Sequence, residues 1–361
     1  MSEYYHPRYT GRRSDSKKPR RRLLITLLIL LILALAGGWM LYNAAYQPNT
    51  YTGDKEEAFF TIPTGSNFDS VKKSLYLHGL IVNRKSFELV ARLKKYENII
   101  KPGRYKITRG MGNLELVNML RSGRQEPVMV IFNNIRTPDQ LAGRISKQIE
   151  ADSLSIVRLL NDTAYLDSLG VTRSSLFTIM IPDTYEFYWT TTAREFIDRM
   201  KSESEKFWSR GRAEKLKSLN MNRHEVITLA SIVEKETNKN DEKPRVAGVY
   251  LNRLKDGWLL EADPTLVFAH GDFEMRRVLN IHKQIESPYN TYKYTGLPPG
   301  PICLPSVASI DAVLNREQHE FMFFCAREDF SGYHNFARTL EQHNLNAWKY
   351  QQALNRKNIY K

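Results

Sequence analysis

The stretch "LASIVEKETN", Leu229–Asn238, sets two carboxylates, Glu234 and Glu236, two residues apart at the end of an apolar run. The apolar spacing before them predicts a helix from Glu225 to about Asn238. With Glu234 at 0° and about 100° per residue, Ile227 falls near 20°, Ala230 near −40°, Val226 near −80° and Val233 near −100°. Glu234 therefore borders the apolar arc, while Glu236, near 200°, lies across the helix axis. On such a helix the two carboxylates cannot serve one bond as a pair. Ser231, Thr237 and Asn238 are the neighbours that Glu234 can reach. A half-buried carboxyl should hold its proton to higher pH, because burial disfavours the charged form. That suits a general acid working near neutrality. A solvated glutamate at a helix end fits the spacing too, and pattern alone leaves both readings open.

Other polar groups have weaker claims. Asn290, Tyr292 and Tyr294 could bind a glycan by hydrogen bonds and ring stacking, or brace the rigid loop "GLPPGPI" that follows. Thr265, after Asp263-Pro264, is a helix cap or a support for Glu234. Glu186, in an aromatic strand, and Glu261 are the next acids to consider. His270, His282, His334 and His343 have no metal-site spacing. There is no glycine-rich phosphate loop and no recognisable Ser-His-Asp context, so no metal or cofactor is expected.

The elements that must position these residues read as α+β. "AFFTIP" is strand-like, and Ser66 with Asp69 opens a helix in capping-box fashion. Ser86 begins a second helix, "KPGRYKIT" turns into a strand, and "GNLELVNMLRSG" is a helix closed by Gly123. Residues 57–125 thus form a small module, with a polar stalk, 43–56, before it. Within 126–361, "EPVMVIF" is a strand and Thr137-Pro138 start a helix. "SIVRLLNDTAYLDSLG" is one amphipathic helix, "IPDTYEFYW" a strand, and residues 195–219 a basic helical stretch.

The 361 residues carry a formal net charge of +14. Residues 1–22 hold eight basic side chains against two acids, so the tail supplies +6 and the remainder is only mildly basic. Outside the tail there is no basic stripe of the kind nucleic acid needs. Leu23–Tyr42, "LLITLLILLILALAGGWMLY", is uncharged over twenty residues, the length of a bilayer span. Only Lys55 is basic in the fifteen residues after it. The charge bias places residues 1–22 in the cytoplasm and residues 43–361 outside, on a single-pass anchor. Ala34-Leu35-Ala36 also resembles a signal-peptide cleavage site. In either case most of the chain is exported, where Cys303 and Cys325 could pair, although spacing does not decide it.

"ASIVEKET" (Ala230–Thr237) resembles the signature of the endolytic murein transglycosylase, or YceG-like, family. "PDTYEF" (Pro182–Phe187), "VAGVYLNRL" (Val246–Leu254), "DPTLVFAHG" (Asp263–Gly271), "SPYNTYKYTGLPPGPI" (Ser287–Ile302) and "HNFARTLEQHN" (His334–Asn344) continue it in family order. The chain departs from the pattern at Phe177-Thr178 and Asn133-Asn134, where the family usually has Glu-Gly. The resemblance implies a small LysM-like module before a larger mixed catalytic domain. It implies a lytic transglycosylase of peptidoglycan at the inner membrane, partnered by strand-building synthases. It makes the first glutamate of the triplet, Glu234, the catalytic acid, with Glu236, Thr265, Asn290, Tyr292 and Glu186 as glycan contacts or supports. Such an enzyme cleaves the MurNAc-β-1,4-GlcNAc bond and leaves a 1,6-anhydro end. A non-catalytic wall-binding protein and a glycoside hydrolase remain alternatives; the hydrolase needs a second carboxylate near the acid.

Overall fold

The computed structural model describes residues 17–209, 211–275 and 277–357. The chain divides into two compact units, residues 1–126 and 127–361.

The first unit begins with α1 (Lys17–Tyr46). Its span Arg20–Tyr46 is long and apolar enough to cross a membrane, and its residues from Leu23 to Tyr42 lie exposed. At 1.5 Å per residue that span is about 40 Å long. Then come β1 (Glu57–Ile62), α2 (Phe68–Leu77), α3 (Arg84–Leu93), β2 (Gly103–Thr108) and α4 (Asn113–Ser122). β1 and β2 pair antiparallel, with Glu57 opposite Thr108 and Ile62 opposite Gly103. Alternate residues of β2, Tyr105 and Ile107, point into a core with Phe60, Leu75, Phe87 and Leu116.

Three local expectations for this unit are corrected. The capping box on α2 is Asn67 with Ser70, not Ser66 with Asp69. α3 starts two residues before Ser86, because Asn83 caps it. The expected stalk is in part a packed segment. α1 continues to Tyr46, Ala44 is buried in the core, and Asn49 and Thr50 are almost fully buried. The Asn113 side-chain amide donates to the Ala44 carbonyl at 2.8 Å, and Asn49 donates to Asn113 Oδ1 at 2.6 Å. Asn49 Oδ1 in turn accepts from the Asn83 N–H at 2.6 Å. Gly112 admits this packing, since a Cβ there would lie 3.0 Å from the Ala45 carbonyl oxygen.

The second unit runs β3 (Val128–Ile131), α5 (Pro138–Ile145), α6 (Ser153–Leu160), α7 (Thr163–Leu169), β4 (Thr184–Phe187), α8 (Ala193–Ser209), α9 (Arg212–Leu219) and α10 (Arg223–Glu236). It continues with α11 (Lys243–Lys255), α12 (Asp263–His270), α13 (Val307–Leu314), β5 (Phe323–Ala326), β6 (His334–Ala337) and α14 (Leu340–Arg356). β3 pairs antiparallel with β4, and β5 with β6. The single helix expected over "SIVRLLNDTAYLDSLG" is two, because α6 ends at Leu160 with Asn161 as its C-cap and Asp162 caps a new start. The basic stretch 195–219 is likewise two helices, α8 and α9. One core gathers β3, β4 and α5–α8. The other surrounds α10 with residues of α11, α13 and Ile302. Cys303 and Cys325 are free thiols.

α10 is not the half-buried helix its spacing suggested. All eight residues from Val226 to Val233 are buried, so α10 is the central strut of its core. It is part-exposed only in its first and last turns, and Glu234 and Glu236 sit in the last.

Candidate active site

The last turn of α10 sends its two carboxylates into different surroundings. Glu234 Oε2 faces the start of α13. It accepts from Ser306 Oγ at 2.6 Å, from the Ser306 N–H at 3.3 Å and from the Ser309 hydroxyl. Ser306 is also the N-cap of α13, so the carboxylate sits against the positive end of that helix. Lys243 Nζ, at the start of α11, lies 3.1 Å from the same oxygen; the lysine side chain is 5% exposed and the glutamate 25%. Burial favours a raised pKa for Glu234, but Ser306, Ser309 and Lys243 outweigh it and hold the carboxyl below its ordinary value. The proton-holding Glu234 expected from the sequence is thus corrected. Its surroundings are not merely small and apolar; they supply two hydroxyls and a buried ammonium. Glu234 lines neither of the clefts that meet beside it.

Glu236 is the group at that meeting point. One cleft, of about 570 Å³, is lined by Arg136, Lys235, Val267, Phe268, Phe273, Arg277 and Tyr350 among others. A second, of about 320 Å³, is lined by Tyr250, Arg253, Leu260, Glu261, Tyr292, Phe323, Phe324 and His343 among others. Glu236 and Asp263 line both. Glu236 is half-buried as a residue where it lines the two clefts. Burial pushes its pKa up to about 7; the Tyr250 hydroxyl opposes the shift, the Asp263 charge adds to it and Arg253 opposes it. Tyr250 donates to Glu236 Oε1 at 2.6 Å and is itself buried. One carboxylate oxygen is thereby oriented, leaving Oε2 with no protein donor among the described residues. The helical wheel placed Glu236 on the face away from the apolar arc. That inference fails because α10 is enclosed on all sides, and the clefts open at its end.

The other expected residues separate into three groups. Tyr292 is at the site: its hydroxyl donates to Asp263 Oδ1 at 2.6 Å, and it lines the smaller cleft. Glu261 lines that cleft as well, 3.3 Å from Arg253 Nη1. Thr265 and Asn290 are buried braces. Thr265 Oγ1 is 2.8 Å from both the Ala262 carbonyl and Thr291 Oγ1. Asn290 donates to the Lys283 and Ile285 carbonyls and accepts from the Tyr292 N–H, which uses its amide on the loop that carries Tyr292. Glu186 and Tyr294 lie elsewhere. Glu186 is exposed on β4 opposite Met129, and Tyr294 is exposed with its hydroxyl on Glu286.

Asp263, Tyr250 and Lys243 were missed as site residues. The first two lie within the "DPTLVFAHG" and "VAGVYLNRL" stretches, which was the available signal. Among the described residues, no group of three or more His, Cys, Asp or Glu could hold a metal ion.

Comparison with known proteins adds the family. The chain is 26% identical over 338 residues to the endolytic murein transglycosylase of Bacillus subtilis, covering 90% of this chain and 93% of that one. It is 28% identical over 348 residues to the endolytic murein transglycosylase of Streptococcus pneumoniae, covering 87% of this chain and 62% of the relative. A crystal structure of a yceG-like protein from Listeria monocytogenes aligns with a TM-score of 0.53 at 27% identity, over 81% of this chain and 99% of that one. The model of the YceG-like family matches residues 60–349, most of the chain, and the chain belongs to that family.

Proposed function

We propose that this chain is a membrane-anchored lytic transglycosylase that cuts the MurNAc-β-1,4-GlcNAc bond within murein strands and leaves 1,6-anhydro-MurNAc ends. The names of its relatives support the reaction class. The observation that carries the reading to residues is Glu236, a carboxyl with its pKa raised to about 7 where two clefts meet. A glycan lying through both clefts would place its scissile oxygen there. Glu236 is the general acid in this proposal, in place of the Glu234 that the family pattern suggested.

Protonated Glu236 gives its proton to the departing glycosidic oxygen. The Asp263 carboxylate, held by Tyr292, faces the positive charge that develops on the sugar. The 6-hydroxyl of the same sugar then closes on C1, and the Glu236 carboxylate takes its proton. Because the nucleophile is intramolecular, no water has to be activated.

The remainder of the reading is also proposed. Residues 23–42 of α1 cross the inner membrane, with residues 1–22 in the cytoplasm. Residues 57–125, whose βααβ order supports a LysM-like module, assist glycan placement, and residues 126–361 cleave. Cutting within nascent strands would limit their length beside the synthases that build them.

Asp263 also favours a second reading, a hydrolase in which it activates water. Mass spectrometry of fragments from purified strands separates the two. The expected fragments end in anhydro sugars, and fragments heavier by one water support the hydrolase. Glu236→Gln should lower kcat by about 10²–10⁴-fold, and a variant within threefold of the parent removes Glu236 as the acid.

A further inference from the structure

The two clefts that meet at Glu236 differ in charge. Beyond the shared Glu236 and Asp263, the larger one is lined by three cations, Arg136, Lys235 and Arg277, and by no acid. The smaller one has Arg253 and Glu261, which pair with each other, and His343, whose pKa is lowered by burial and then by Arg253. Arg253 is further tied to the Met322 and Leu260 carbonyls at 2.8 Å each. It is therefore a structural cation.

Two of the cations of the larger cleft, Arg136 and Lys235, are held in place yet not paired with a carboxylate among the described residues. Arg136 stacks on the Phe273 ring, with Cζ 4.8 Å from the centroid, and its N–H is fixed by Gln140 Oε1 at 2.9 Å. Lys235 donates to the neutral Asn134 Oδ1 at 2.9 Å. No ion pair joins Arg136, Lys235 or Arg277 to a carboxylate among the described residues. Arg136 and Lys235 are half-buried, on two segments about a hundred residues apart in the chain, the β3–α5 connection and the end of α10. Two half-buried cations, one of them stacked on an aromatic ring, offer complementary charge to a carboxylate-bearing group.

We propose that this larger cleft binds the acidic peptide stem of the murein strand, through its carboxylates, and that Arg136 and Lys235 set a preference for stem-bearing over uncharged strands. The proposal rests on the reading of Glu236 as the acid of a murein-cleaving site. It deepens that reading by fixing which side of Glu236 receives the stem-bearing sugar. The smaller cleft, with balanced charge and Tyr292, Phe323 and Phe324, is left for the sugar across the bond.

The test uses the full chain and two substrates, purified strands with free stem carboxylates and the same strands with those carboxylates converted to amides. The parent should show kcat/KM about five- to tenfold higher on the free acids, mainly through KM, and the ratio should shrink at high salt. In Arg136→Gln/Lys235→Gln the ratio should fall toward one. Arg136→Lys/Lys235→Arg, which keeps both charges, should restore most of it. A parent that cleaves both strands equally well overturns the proposal and leaves the Glu236 reading standing. So does a double variant that slows on both strands with the ratio intact. A parent that cleaves neither strand overturns the underlying reading, and this proposal falls with it.

Discussion

At the scale of single residues, two glutamates two residues apart have opposite electrostatics, and each opposition gives a measurable sign. Glu234 is held below its ordinary pKa by Ser306, Ser309 and Lys243. Its stabilising contribution is present above the carboxylate's unfolded pKa and is lost as pH falls through the lowered folded value. Glu234→Gln leaves Lys243 buried without its counter-charge, and breaking such a pair costs about 3 kcal/mol. We expect a lower melting temperature at pH 7 and, per folded molecule, a rate within about threefold of the parent, since losing a general acid costs far more. Loss of turnover at a temperature where the variant is folded would return the catalytic role to Glu234. Glu236 behaves in the reverse sense. Its pKa is raised to about 7, so its contribution is complete below the unfolded value and is lost as pH rises through 7. The proposed active site therefore carries a stability penalty at alkaline pH. Glu236→Gln should melt like the parent at pH 5 and several degrees higher at pH 8, while losing activity. The same protonation should make the parent's kcat/KM fall above pH about 7. A flat profile across that pH would separate the raised pKa from catalysis.

At the scale of elements, much of the fold was legible and the misreadings have physical causes. Periodicity found α10, but the wheel assumed one buried arc, and nothing in a single helix reveals that α11, α12 and α13 enclose the remaining faces. Caps moved by a residue or two because Ser66, Asn67, Asn83 and Ser86 all have capping chemistry, and backbone geometry chooses between them. The two departures from the family pattern are absorbed locally. Asn134 takes φ +50°, which asparagine tolerates where glycine would sit freely. Phe177 is buried in a core, and Thr178 caps its own turn through the Ser175 carbonyl at 2.7 Å. The expected stalk differs because polar residues need not be solvated, and Asn49 and Thr50 are buried as connectors. Asn113 is the centre of that connection. Asn113→Ala removes the donor to the Ala44 carbonyl and one of the two acceptors of the Asn49 amide, which keeps the Asn83 carbonyl, a cost of about 1–3 kcal/mol. Hydrogen exchange should show β2 and α4 losing protection while residues 127–361 keep theirs. Protection unchanged in β2 and α4 would mean that the polar cluster fills space without holding the unit.

At the scale of the whole molecule, the question is how the first unit meets the membrane. α1 is continuous from Lys17 to Tyr46, and its last residues belong to the core that Phe60, Phe87 and Leu116 build. The helix that would cross the bilayer therefore enters a folded unit with no flexible spacer. Arg20, Arg21 and Arg22 sit at its other end, where positive charge resists export. A signal peptidase cutting after Ala36 would have to open the middle of this helix. The helix continues for ten residues beyond that point and anchors Ala44 in the fold. We therefore expect no cleavage. The protein recovered from membranes should have the mass of the uncut chain, remain in the membrane through alkaline carbonate washing, and lose residues 43–361 to protease added outside spheroplasts. A mature chain beginning at Gly37 and released in soluble form would identify the apolar helix as a leader. Intact residues 43–361 after protease, with digestion only once the membrane is opened, would reverse the orientation and remove the enzyme from its proposed substrate.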